Sequence, residues 1–384
     1  MPKAVNMTRK QKSSAAVALL LIAGAGLSTP ALAQNMPLGL PAEPAASAAV
    51  LDNGVLYREL TRGIYEVRYN PRDDALYVAS ALAIPGVKGG IVYKLNADTL
   101  EPVGAIHTDR GNFALALNAD GSRLYATNSL EHSVTAFNLE DNSIIGRLDL
   151  NEVGSDGNKF GPRQVIHDAA KGALYIGAVG DPGVIWVVDA DTLQLRHTIR
   201  EAGKWVTGLA VHPRTGDLYA ANGGGEILVI DTASYAIKRR FRPAGDAEAL
   251  LLNFAFDVDN NRLYVTDHSK LKTVLIVNPD TGEKIGDIPE AGESMAILLH
   301  PQRRELYVTN RERGTVSVWD ADTHALKRTV RAGPNPNSLA LSADGQTLFV
   351  TVKTPFTSTY SASGVESIVR IPLDVAAPPA APRP

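Results

Sequence analysis

No cysteine occurs among the 384 residues. This excludes disulfides, thiolate metal sites, iron–sulfur clusters, cysteine nucleophiles and lipid attachment at an N-terminal Cys. Positive charge is not in excess either. Lys and Arg number 38 against 41 Asp and Glu, a net charge of −3, which argues against a nucleic-acid binder that works by bulk charge. Nowhere does an apolar pattern of helical period persist over three turns. Beyond the N-terminal segment no apolar stretch is long enough to span a bilayer. A nucleophile–base pair and a metal-ligand cluster of recognisable spacing are also missing. The chain does carry 33 glycines and 23 prolines at 45% hydrophobic and 21% charged residues, the balance of a turn-rich globular protein.

The first residues form an address. Arg9, Lys10 and Lys12 precede an apolar run from Ala15 to Leu27, and Ala31-Leu32-Ala33 supplies a small-x-small cleavage site. That order marks residues 1–33 as a secretory signal peptide. The run is too short for a comfortable membrane anchor, so the expected product is exported to a periplasm with no membrane span. Removing four cations and no acid takes the net charge from −3 to −7. Residues 34–54 and 375–384 are rich in Ala and Pro and read as a linker and a disordered tail.

Between them one pattern recurs seven times. It is anchored at Leu76-Tyr77-Val78, Leu124-Tyr125-Ala126, Leu174-Tyr175-Ile176, Leu218-Tyr219-Ala220, Leu263-Tyr264-Val265, Leu306-Tyr307-Val308 and Leu348-Phe349-Val350. The steps between these leucines are 48, 50, 44, 45, 43 and 42 residues, enough for four short strands and their turns. One such sheet cannot bury both faces, whereas seven packed around an axis can. The expected fold over 55–374 is therefore all-β: a seven-bladed β-propeller of four-stranded antiparallel blades. The last blade lacks an outer strand, and residues 55–60 belong to no blade. They are expected to fill that place and close the ring.

Two polar columns run through the repeat. Asn70, Asn118, Asp168, His212, Asp257, His300 and Ser342 lie six residues before each anchoring position, and Asn96, Asn138, Asp189, Asp231, Asn278 and Asp320 close the third strands. Regular recurrence assigns both columns to turns, not to metal binding or acid–base catalysis.

Tyr307-Val-Thr-Asn310 is a YVTN string, and Tyr125-Ala-Thr-Asn128, Tyr264-Val-Thr-Asp267 and Tyr219-Ala-Ala-Asn222 are close variants. The chain resembles the YVTN-repeat propellers and, over roughly 55–374, the YncE-like periplasmic proteins. That resemblance implies the propeller and admits single-stranded DNA binding. Similar blades also occur in lactonases and in quinoprotein dehydrogenase subunits.

In a propeller the first strand of each blade lines the central channel. Small residues dominate there, and Glu66, Arg68, Gln164 and Asn253 depart from this, with Glu66 and Arg68 expected as an internal ion pair. At the channel mouth the candidate ligand-binding residues are Trp205, Lys204, Arg163, Asn112, Glu293, Asn337 and Arg311. Trp205 beside Lys204 forms a stacking platform for a flat ligand, while Trp186 and Trp319 are packing residues. The expected function is a non-catalytic, monomeric binding scaffold without a cofactor or metal. Its partner at the channel mouth is single-stranded DNA, a protein or a small molecule. The alternative is a lactonase-type hydrolase whose channel would gather Glu66, Glu248, Glu293, Asn112, Asn253 and Asn337.

Overall fold

Every repeat folds into one antiparallel sheet. The structure is a computed structural model describing residues 49–51, 54–84, 86–154, 157–289, 293–355, 357 and 362–374. The expected signal peptide, most of the linker and the tail lie outside these residues. Blade 1 consists of Ile64–Asn70, Ala75–Ser80, Gly90–Asn96 and Pro102–Thr108, strands a to d in chain order. Five blades of the same order follow, with a strands at Leu115–Leu117, Gly161–Asp168, Val206–Val211, Leu251–Asp257 and Ser294–His300. Blade 7 takes its first three strands from Pro336–Leu341, Thr347–Val352 and Glu366–Pro372. Its outer strand is Val55–Thr61, paired antiparallel to Glu366–Pro372. The N-terminal segment thus closes the ring as its sequence required. The sheet also reaches beyond the expected boundary, because Ala49–Leu51 pairs with Val55–Tyr57.

The hydrophobic core is divided among the gaps between blades. Seven buried clusters each join two neighbouring sheets, the seventh joining blade 7 to blade 1 through Phe349, Ile64 and Leu76. This follows from b strands such as Ala173–Val179 being buried along their whole length, while d strands such as Leu326–Arg331 are exposed or half-buried throughout.

The YVTN signature has a mechanical meaning. In blades 2, 5 and 7 the Thr hydroxyl at this position accepts from its own a strand and donates to the next blade, whereas Thr309 of the YVTN string itself bonds Ala296 of its own a strand. Thr127 takes the Ala114 amide at 3.0 Å and gives to the Arg163 carbonyl at 2.8 Å. Thr266 takes Asn253 and gives to Met295, both at 2.9 Å. Thr351 repeats this across the closure, with Ser338 at 3.0 Å and Tyr65 at 2.9 Å. The Tyr hydroxyl stitches the outer side: Tyr125, Tyr219 and Tyr264 donate to the carbonyls of Ala190, Pro279 and Ala321 in the following blade, at 2.9, 3.0 and 2.9 Å. Each such bond is worth about 0.5–1.5 kcal/mol net, so the repeat holds the ring as well as each sheet.

Both polar columns serve turns. His212 Nδ1 accepts the amides of Arg214 and Thr215 at 3.1 and 3.2 Å. Asp189 and Asp320 each accept two backbone amides, two and three residues ahead. Four residues past this column the chain enters the left-handed region, at Leu100, Asn142, Leu193, Tyr235, Gly282 and His324. The side-chain bonds hold those turns despite their mostly non-glycine residues.

Candidate functional site

Strand a enters each blade from the d–a connection, so its first residues ring one mouth of the channel. The b–c connections open on the same face. Five residues before the a–b turn column stand Tyr65, Phe113, Arg163, Thr207, Leu252, Met295 and Asn337, and one step deeper Glu66, Ala114, Gln164, Gly208, Asn253, Ala296 and Ser338. Most of these line a channel cavity of about 200 Å³, together with Arg68 below and Arg311 from the b–c connection of blade 6. Gly208 is the tightest point. A Cβ there would stand 1.6 Å from the Leu252 carbonyl oxygen, so only glycine lets these inner strands approach.

Within the channel Glu66 and Arg68 form the expected ion pair. Glu66 also accepts the Leu115 amide at 2.9 Å, and Arg68 donates to the Leu115 carbonyl at 3.0 Å. Burial pushes the Glu66 carboxyl upward against the pull of Arg68. Gln164 accepts the Leu209 amide at 2.5 Å and Asn253 donates to Met295 at 2.7 Å. The departures from small residues therefore tie adjacent blades and also line the cavity.

At the mouth two guanidiniums share the cavity. Arg163 donates to the Thr207 carbonyl and Arg311 to the Asn337 carboxamide oxygen. Both keep some surface open to the channel but are walled by protein on their remaining sides. Burial pulls each down to about 10, so both remain cations at neutral pH. Glu66 partly offsets this for Arg163, and Glu293 does so for Arg311, whose charge is opposed by Arg163. His268, from the b–c connection of blade 5, is pushed down to about 3 by burial and by the fields of Arg311 and Arg163. It is a neutral imidazole with Nε2 3.4 Å from the exposed Glu293 carboxylate. His268 Nδ1 and Arg311 Nε are both buried without a hydrogen-bond partner among the described residues.

Trp205 occupies the rim. Its indole packs on Leu250, Leu252 and Met295, and Met295 also lines the channel. The residue sits at φ 54°, a costly conformation for a bulky side chain. Three backbone bonds hold it and its neighbour: Trp205 N to Gly180 O at 2.8 Å, and Gly223 N to the Lys204 and Trp205 carbonyls at 2.6 and 3.0 Å. A Cβ on Gly223 would meet the indole at 2.8 Å, so glycine admits the ring over this loop. The Lys204 ammonium lies 4.3 Å from the Trp205 ring centroid. Trp186, by contrast, is buried in the blade 2–3 core, and Trp319 donates its indole N–H to Ser317 at 2.8 Å.

The structure brings Arg163, Arg311 and Asn337 together, with Glu293 on the rim beside them. Trp205 and Lys204 are joined to them through Met295. Asn112 is elsewhere: it is fully buried, donating to Thr108 at 2.9 Å and accepting from Asn128 at 3.3 Å. Its polar ends are used inside blades 1 and 2, and it offers nothing to the channel. Lys353 is also withdrawn, buried against Glu366 and Tyr65. Among the described residues no group of three or more His, Asp and Glu gathers in a way that would hold a metal ion. Tyr65, Phe254 and Met295 also line the channel, and the signal for them in the sequence is their place on strand a, three to five residues before the turn column.

No family model matches the chain. A protein of Salmonella typhimurium described as uncharacterized protein YncE is 36% identical over 350 residues, 90% of this chain and 99% of the relative. Its Escherichia coli K12 counterpart is 36% identical over 322 residues, 83% and 91% of the two chains. Antigen Lp49 of Leptospira interrogans is 26% identical over 178 residues, 44% of this chain and 38% of that one. Among solved structures, a chain of Kuenenia stuttgartiensis hydrazine synthase superposes with a TM-score of 0.67 at 16% identity, covering 88% of this chain and all of that one, which speaks for the fold alone. No helix among the described residues is long and apolar enough to cross a membrane.

Proposed function

The chain belongs to the YncE family of β-propeller proteins, and on that premise we propose that it is a non-catalytic binding scaffold whose working surface is the channel mouth, with single-stranded DNA as its ligand. The observation that carries this is the pose of Trp205. An indole is held in a strained backbone conformation at the rim, with an ammonium 4.3 Å from its ring centroid and an apolar slope running from it into the channel. A base stacks on such a surface without regard to sequence, and cations beside it meet the phosphates. Lys204, Arg163 and Arg311 are those cations. Exposed Glu293 moderates their field, so the binding is moderate and strongly salt-dependent. Export to a periplasm, read from residues 1–33, belongs to the same proposal.

The test is a fluorescence and gel-shift titration with an oligo-dT strand at low salt, repeated on Trp205→Ala and Lys204→Ala. Quenching and a shift that both variants weaken support the reading. An unshifted wild-type chain at low salt removes DNA from it.

A further inference from the structure

The basic residues at the mouth follow a register. Five positions after each anchoring residue, blades 5, 6 and 7 place His268, Arg311 and Lys353, where blades 1 and 4 place Ala81 and Gly223. The arc is not uniform in role. Lys353 is consumed by Glu366 at 3.1 Å, and His268 is neutral. Arg311 is left facing the cavity with Arg163, which enters from blade 3.

The charges within reach do not cancel. Arg68 is paired with Glu66 and Lys353 with Glu366, and among the described residues the rim carboxylate that acts on Arg311 is Glu293, which is half exposed to solvent. Placing two cations in one partly desolvated cavity costs free energy unless an anion joins them. Two buried polar atoms, Arg311 Nε and His268 Nδ1, also lack hydrogen-bond partners among the described residues. Such orphans are rare in folded chains and call for a ligand or an ordered water. The like charges favour an anion over water, and a guanidinium fork suits a carboxylate or phosphate oxygen pair.

Size and lining narrow the class. The cavity, at about 200 Å³, is smaller than pockets that take drug-sized molecules, about 300–1,000 Å³. Its apolar walls are Tyr65, Phe113 and Met295 at the level of Arg163, and Phe254 deeper in the channel. We propose that the channel mouth is a binding site for a small organic acid, one carboxylate or phosphate group held between Arg163 and Arg311 with an apolar or aromatic body resting on these walls. The site shares Arg163 and Arg311 with the DNA surface but does not need Trp205 or Lys204, so it stands whether or not the chain binds DNA.

The probes are benzoate, phenyl phosphate and inorganic phosphate, added to the full chain at ionic strength matched with sodium chloride. Thermal unfolding and calorimetric titration read the binding. Benzoate and phenyl phosphate should raise the melting temperature and bind more tightly than inorganic phosphate. Arg311→Gln or Arg163→Gln should weaken them roughly tenfold or more, the loss expected for one charge-assisted hydrogen bond. Arg72→Gln, in the exposed a–b turn of blade 1 on the opposite face, should leave them unchanged. Melting temperatures no higher than in matched chloride would overturn the site, as would equal affinities in both arginine variants. If a variant does not fold, wild-type crystals soaked in 4-bromobenzoate decide: bromine in the channel beside Met295 supports the site, and bromine elsewhere or nowhere overturns it. An oligonucleotide that still binds when the acids do not would end this inference and leave the DNA proposal standing.

Discussion

The Lys353 ammonium lies 3.8 Å from the centroid of the Tyr65 ring, joining the last blade to the first. It also donates to the Ile64 carbonyl at 2.5 Å and to Glu366 at 3.1 Å. Glu366 in turn accepts the Ile64 amide at 2.7 Å and the Thr354 amide at 3.0 Å. The buried ion pair thus stands where the ring closes, and burial pulls the lysine down to about 8. Glu366→Ala should cost about 3–5 kcal/mol by stranding a buried cation. Lys353→Met combined with Glu366→Gln should recover most of that, both measured by urea unfolding. Deleting residues 51–61 removes the outer strand of blade 7 and should cause aggregation or a large fall in melting temperature. A melting temperature unchanged by the deletion would refute this closure.

Salt separates the two components of the proposed DNA contact. Trp205→Ala should cost about 1–3 kcal/mol of oligo-dT binding at every salt concentration, because stacking is not screened. Lys204→Gln should instead reduce the slope of log K against log salt by about 0.7, the share of one phosphate contact on a single strand.

His268 makes the mouth sensitive to acid. Its folded pKa, about 3, lies below the ordinary imidazole value of 6.5. Between these limits the unfolded chain binds the extra proton, so this contribution to stability is complete above 6.5 and is lost as pH falls toward 3. The melting temperature should therefore drop less between pH 7 and pH 5 in His268→Gln than in the wild-type chain. Histidine NMR should show the His268 ring still neutral at pH 5.

The turn histidines should behave as backbone partners. His300 accepts the Arg303 amide at Nδ1, 3.3 Å away, and its Nε2 lies 2.9 Å from the Gly345 carbonyl in blade 7. His300→Ala should cost about 1–3 kcal/mol through the groups left unpaired. A chelator should leave the melting temperature of the wild-type chain unchanged, and a fall on chelation would point to a bound metal.

Much of this was legible because a repeat exposes its own grammar. The anchoring Leu-Tyr-Val triplets gave the number of blades, and the recurring Asn and Asp positions gave the turns. Even the Glu66–Arg68 pair followed from two long charged residues standing in a column of small ones. The site was readable only in part. Asn112 and Lys353 sit at mouth positions by register, yet each turns inward to a buried partner: Asn128 and Thr108 for the first, Glu366 for the second. Register gives a residue's height and blade, whereas a long or branched side chain selects its direction from the partners nearby. The strained backbone of Trp205 and the orphaned Arg311 Nε depend on several chain segments at once and leave no mark in any single stretch of sequence.

Hydrogen–deuterium exchange with and without a saturating oligo-dT strand shows which face of the ring meets the ligand. Protection should fall on the d–a and b–c connections around Lys204–Trp205, His268 and Arg311. Protection centred on the a–b turns at Asn70, Asp168 and His300, on the opposite face, would contradict the account.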